Sequence, residues 1–578
     1  MGTRKEVSIV FSRAPAGLEA PLVRVEVHLG NGLPAFALVG LPEAVVRESK
    51  ERVRAALVTA GYDFPQRRIT VNLSPADLPK EGGRFDLPIA VGILAADCMI
   101  DPRALHHREF YGELSLGGAL RETPKLLPAL IAGAKLGSEM ILPAANALEA
   151  SLLNGAKLRM MNHLHEVVAA LGGEAMPAAR TCATPTDART QARAQARAQT
   201  QARAQTQARA TTNSAAISRA LEEAQDHEQN DLHVQHRSIP DLCEVRGQYA
   251  AKRALEIAAA GEHGLLMIGP PGAGKTLLAQ RLPGLLPPLS EPEILEVASL
   301  ESAAGRRPSL GARRPFRSPQ HTASVAALVG GGSLRPGELS LSHLGVLFLD
   351  ELPEFPRNAL EALREPLETG VVVVARLKRT CEFPARFQLV AAMNPCPCGY
   401  AGDSRGRCHC TAEQIVRYRN RISGPLIDRI DIHIEIAPLP VEDLMCEARE
   451  GAIPAGIARA AGTAGAGGAA AAGRETQRTE NSAAVAQRVA AARSLQLQRQ
   501  GKLNARLSPA ELTRFCRLAK EPRALLATAI ARLGLSARAY HRVLKVARTC
   551  ADLSQAPDIR MVDVAEAVKL RALDRPTC

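Results

Sequence analysis

At 578 residues the chain is too long for one hydrophobic core and sets an expectation of three or four domains. Lysine plus arginine outnumber aspartate plus glutamate by 72 to 59, and a net charge of +13 favours a polyanionic partner such as nucleic acid. Part of the excess is compositional bias, because Arg189, Arg193, Arg197, Arg203 and Arg209 share one low-complexity tract. Tryptophan is absent and aromatics make up 3%, so platforms for stacking bases are scarce and a grip on nucleic acid falls mainly on phosphates.

The opening "MGTRKEVSIVFSRAP" has no apolar segment of signal-peptide length, and no window is apolar enough to span a bilayer. A cytoplasmic protein without a membrane partner is expected. In that compartment the 12 cysteines stay reduced, so a cluster among them reads as metal-binding before disulfide.

Residues 1–175 mix alternating strand-like runs ("LVRVEVHL", "RRITVNL") with amphipathic helical stretches ("PEAVVRESKERVRAALVTAG", "LPIAVGILAA"), predicting an α+β domain. Residues 176–235, with "TQARAQARAQTQARAQTQARA", have almost nothing to bury and read as a linker. Strands and helices then alternate over 236–445 as in a parallel α/β sheet. An Ala/Gly-rich second linker, 446–480, leads to a helical domain at 481–578.

"GLLMIGPPGAGKTLLAQRL" places Gly269, Pro270, Pro271, Gly272, Ala273, Gly274, Lys275 and Thr276 between an apolar strand and a helix. This is the setting of a P-loop rather than an ordinary glycine loop. Its backbone N–H groups wrap phosphate, Lys275 reaches the β and γ phosphates of ATP, and Thr276 ligates Mg²⁺. Further on, "GVLFLDELPEF" ends a buried strand in Asp350 and Glu351. With the P-loop upstream, Asp350 is expected to hold Mg²⁺ through water and Glu351 to orient the attacking water; alone, the pair would read as an acidic turn. "RFQLVAAMN" predicts the next strand, with Asn394 at its end aimed at the γ phosphate.

Just past it, Cys396, Cys398, Cys408 and Cys410 form two Cys-x-Cys pairs around a nine-residue loop. Four thiolates suffice for a structural Zn²⁺, although the spacing departs from the usual Cys-x2-Cys; the other reading is reduced thiols in an ordered loop. His409 is a weaker fifth candidate. Arg429, between a helix and a strand, and Arg538, near a helix start, read either as arginines that meet nucleotide or as surface ion pairs.

These pieces, in this order, resemble an AAA+ ATPase of the magnesium-chelatase-like ComM (YifB) family. The resemblance rests on "FALVGLPEAVVRESKERVRAAL", "NLSPADLPKEGGRFDLPIAVGIL", "FRSPQHTASVAALVGGG", "GVLFLDELPEFPRNALEALREPLETG", "AAMNPCPCG", "SGPLIDRIDIHIE" and "LSARAYHRVLKVART", and spares only the two linkers. It implies a multidomain α/β chain with a parallel-sheet P-loop core and a C-terminal helical lid. It also implies a homo-hexameric ring, with Arg429 as arginine finger and Arg538 as second sensor. The implied activity is that of a DNA helicase driving branch migration when transforming DNA is taken up and integrated.

By the same resemblance the N-terminal domain is similar to the catalytic fold of Lon proteases, without the activity. "PKEGGRFD" puts Arg84 where the nucleophilic serine would stand, and Lys125 is near the place of its partner but not clearly in register. "GVVVVARLKRTCEFPARFQLV" reads as a β-hairpin whose tip carries Arg376, Lys378 and Arg379. By the same resemblance such a tip would contact single-stranded or branched DNA in a ring's channel; the other reading is a tip that is simply solvated. Two rival functions remain: a chelatase-type motor remodelling a protein partner, and a proteolytic or chaperone machine, whose proteolytic form Arg84 opposes.

Overall fold

Alternation decides the first domain. Along Leu22–Gly30 the side chains of Val23, Val25, Val27 and Leu29 are buried while Arg24 faces solvent, the period-two pattern of a half-buried strand. The structure, a computed structural model, describes residues 7–40, 44–78, 80–172, 240–331, 334–376, 379–402, 406–438, 480–571 and 573. The two expected linkers lie outside these residues, apart from residue 480.

Leu22–Gly30 pairs antiparallel with Val7–Arg13 and Arg68–Ser74 inside a seven-stranded mixed sheet. Beyond Val7–Arg13 the strands Arg108–Phe110, Glu139–Pro143 and Leu158–Met161 follow in parallel. The helix Asp86–Ala96 departs from the amphipathic expectation, since every one of its residues is buried. It packs on the first two strands, and its small residues permit that close approach.

The second module holds a five-stranded parallel sheet in the order Phe316–Arg317, Val346–Leu349, Gln388–Met393, Leu265–Ile268, Ile432–Glu435. Val346–Leu349, Gln388–Met393 and Leu265–Ile268 are buried throughout, as the apolar runs require of strands covered on both faces. The expected hairpin is present: Val371–Arg376 pairs with Arg379–Pro384, closing at Arg376 opposite Arg379. Lys378, and the side chains of Arg376 and Arg379, lie outside the described residues.

The C-terminal helices do not pack by themselves. Val485, Val489, Val543, Ala547 and Val564 share one core with Leu255, Leu278 and Leu282 of the P-loop module. The N-terminal sheet meets this module through the C-terminal ends of its parallel strands. Ser302 Oγ donates to Glu149 Oε1 at 2.7 Å, Leu127 N donates to Ser302 Oγ at 3.3 Å, and Leu18 packs against the core cluster that contains Phe383.

Candidate functional site

The buried strand Leu265–Ile268 delivers the chain to a loop that turns with φ of +76° at Gly272 and +87° at Gly274. Side chains rarely adopt such angles, so glycine is required there. The helix Lys275–Leu285 starts at once, and its free N–H groups face the cleft. The cleft, about 310 Å³, is lined by this loop together with Asp350, Glu351, Met393 and Asn394.

Register explains the meeting. Gln388–Met393 lies between Leu265–Ile268 and Val346–Leu349, all parallel, so the three strand ends open on one edge. Lys275 Nζ donates to Gly269 O at 2.7 Å, Pro270 O at 3.0 Å and Asn394 Oδ1 at 3.0 Å. Burial pulls its pKa below the ordinary lysine value, while Asp350 and Glu351 favour the charged form. Thr276 Oγ1 donates to Asp350 Oδ2 at 2.7 Å. This hydroxyl and carboxylate are the hard oxygen donors that Mg²⁺ prefers.

Glu351 sits at φ +52°, a left-handed conformation uncommon outside glycine, with its N–H on Asp350 Oδ1 at 3.0 Å. Its carboxylate lies 3.5 Å from Nδ1 of His321, a residue that sequence reasoning missed. The pairing of Phe316–Arg317 with Val346–Leu347 carries His321 to that edge.

Arg429 and Arg538 are brought together, but not here. Arg429 precedes Ile432, which pairs with Leu265 at the start of the P-loop strand, so it lies on the opposite edge of the sheet. Both arginines line a cleft of about 590 Å³ between the core and the C-terminal helices, with Arg386, Arg506, Arg542 and Lys545. Arg429 pairs with Glu368 and donates to Pro425 O at 2.6 Å; Arg538 Nη1 is 3.9 Å from Asp428.

The four cysteine sulfurs converge, all within 4.8 Å of one another. Three of their separations are 3.3, 3.6 and 3.8 Å. A tetrahedral zinc with bonds of about 2.3 Å needs sulfurs roughly 3.8 Å apart, so the set fits. The N–H of Tyr400 and the neighbouring Cys396 bring the Cys398 thiol down to about 6. His409 is exposed and stands outside the group. The cysteine loop touches the nucleotide loop, since a Cβ on Gly399 would come within 2.7 Å of Pro271 Cδ.

Arg84 is buried and donates from Nη2 to Pro124 O at 2.6 Å and Lys125 O at 3.2 Å. Lys125 turns its ammonium to Glu81 at 3.1 Å. The two residues meet, but as a brace under the loop that contacts Ser302.

A parallel sheet in the chain order 2-3-4-1-5, with a P-loop after its first strand and Asp-Glu after its third, is the nucleotide-binding module of an AAA+ protein. Residues 241–444 match the family model described as magnesium chelatase, subunit ChlI; residues 25–146 match subunit ChlI of Mg-chelatase, and 479–571 its C-terminal part. The chain is 43% identical over 573 residues to the competence protein ComM of Haemophilus influenzae, covering 98% of each. It is 44% identical over 572 residues to the uncharacterized protein YifB of Escherichia coli, again covering 98% of each. The chain belongs to the magnesium-chelatase-like ComM/YifB family. That family implies use of ATP and Mg²⁺. The N-terminal match carries a chelatase name, so this domain does not by itself separate the chain from chelatase motors.

Proposed function

We propose that the chain is an ATP-driven motor on single-stranded or branched DNA, a cytoplasmic homo-hexameric helicase that moves branch points when incoming DNA recombines. The observation that carries the ring is the separation of Lys275, Thr276, Asp350, Glu351 and Asn394 from Arg429 and Arg538 by the width of a sheet. A neighbouring subunit would close its arginine cleft over this subunit's P-loop, so both arginines would act in trans. The P-loop N–H groups and Lys275 then hold the phosphates, and Thr276 with Asp350 holds Mg²⁺, which supplies charge neutralisation at the γ phosphate. Asn394 fixes that phosphate, Glu351 orients water in line with it, and Arg429 offsets the charge that develops.

Support for DNA comes from the net charge of +13, the hairpin ending in Arg376, Lys378 and Arg379, and the full-length likeness to a competence protein. The Lon-like N-terminal domain, with Arg84 as a buried brace, serves as a non-proteolytic scaffold. Cys396, Cys398, Cys408 and Cys410 hold a structural zinc that staples the loop after Asn394 against Pro271. A second reading, a motor that remodels a protein partner, is favoured by the chelatase descriptions of all three matched models. ATP hydrolysis measured with no DNA and with single-stranded, duplex and four-way-junction DNA separates the two: stimulation supports the first, and indifference to every DNA the second.

A further inference from the structure

The N-terminal sheet has two edges, and the motor occupies one of them. Ligands of parallel sheets collect at the C-terminal strand ends, yet here those ends are covered through Glu149, Leu127 and Leu18. The opposite edge carries a cleft of about 420 Å³ lined by Arg103, His106, His107, Arg108, Glu139 and Lys157, with Ala104 and Gly137 at its wall. Three separate segments build it. Arg108 and Glu139 open adjacent parallel strands, and Lys157 directly precedes the third.

The charge is one-sided. Glu139, the cleft's carboxylate, is engaged by Arg108 Nε at 2.6 Å and by Arg159. Those two arginines offset its charge, and Arg103 and Lys157 are exposed and have no carboxylate partner among the described residues. Asp101 is also near, but its carboxylate accepts from Arg103 N at 2.9 Å, capping the turn. The wall has no phenylalanine, tyrosine or tryptophan, and its imidazoles are exposed rather than set in an apolar pocket of the kind that buries a base or a small ligand. What remains is a row of cationic donors suited to phosphate oxygens.

We propose that this cleft is a docking point for the phosphate backbone of DNA, placed on the edge of the N-terminal domain that the motor leaves free. It rests on the DNA reading above and adds a second contact, separate from the hairpin. Phosphate contacts position without reading sequence, so the cleft would hold any DNA arm alike.

The test is fluorescence anisotropy of the full-length protein with labelled single-stranded and duplex oligonucleotides across a range of salt, comparing wild type with the double variant Arg103→Ala, Lys157→Ala. Loss of two phosphate contacts is expected to weaken binding about tenfold or more for every sequence, and to make the slope of log affinity against log salt shallower by about 1.4 for single strands or about 1.8 for duplex. ATP hydrolysis without DNA should be unchanged, which shows the variant folded. Unchanged affinity and slope, in a variant with normal basal hydrolysis, overturn the cleft and leave the DNA reading standing. Wild-type protein that binds no DNA at any salt overturns both. Competition by inorganic phosphate beyond its ionic strength would make it a small-anion site. Retained DNA affinity with lost binding to polyglutamate would assign it to an acidic protein segment.

Discussion

Lys275 Nζ donates to Asn394 Oδ1 at 3.0 Å, although 119 residues separate them in the chain. This bond joins the phosphate-gripping lysine to the end of the sensor strand, and the carbonyls of Gly269 and Pro270 complete the ammonium's shell. A phosphate entering the cleft would replace those carbonyls while Asn394 stays within reach. The sensor is therefore coupled directly to the grip.

Lys275→Ala should abolish ATP binding, whereas Glu351→Gln should keep binding and lose about 100-fold or more in turnover, because only the second removes the group that orients water. His321→Ala, which frees Glu351 without deleting it, should cost less. Nucleotide binding by fluorescence and steady-state hydrolysis check all three; wild-type turnover in Glu351→Gln contradicts the assignment.

Arg429→Ala and Arg538→Ala should each abolish turnover in the assembled ring while leaving ATP bound. Mixing either with Lys275→Ala subunits should restore part of the activity, since some interfaces then combine an intact P-loop with an intact arginine cleft. Mixtures that stay inactive at every ratio argue against action in trans.

What the sequence made legible was local. The P-loop, Asp350 and Glu351 are read from spacing within one strand and one loop, and Asn394 from the length of an apolar run. Pairing across the sheet was not legible. His321 reaches Glu351 only because Phe316–Arg317 lies beside Val346–Leu347. The short apolar "PF" before "RSPQH" was its one signal. Arg538 was placed near a helix start, which it is, but a helix period does not say which edge of a distant sheet that helix covers. The basic cleft is assembled from residues more than fifty positions apart, and the wholly buried Asp86–Ala96 reflects packing on both sides that a pattern of small apolar residues does not reveal.

Full-length protein purified under reducing conditions should carry one zinc per chain, and Cys408→Ser should lose it. Because the cysteine loop at Gly399 comes close to Pro271 of the nucleotide loop, the variant should also bind ATP more weakly. Metal analysis by mass spectrometry and nucleotide titration provide the check; a metal-free wild type refutes the site.

Asp431 is buried, accepts from Arg542 Nη1 at 2.7 Å and faces His263 Nδ1 at 2.8 Å. Burial works against its ionised form, but Arg542 and His263 outweigh this and hold its carboxyl well below the usual range. Its folded pKa is thus below the unfolded value, so its contribution is present above about pH 4 and lost as pH falls further. Asp431→Asn should destabilise the core–lid unit by about 3–5 kcal/mol at neutral pH. Urea denaturation should show that gap narrowing below about pH 4; equal stability at pH 7 goes against the pair.

The most direct test of the motor is movement of a labelled four-way junction with homologous arms, followed by gel electrophoresis with wild-type protein and with Glu351→Gln. Wild type is expected to resolve the junction into its duplex products only when ATP is hydrolysed, and Glu351→Gln to bind the junction and leave it in place. Wild-type protein that hydrolyses ATP, binds the junction and never moves it would contradict a DNA motor.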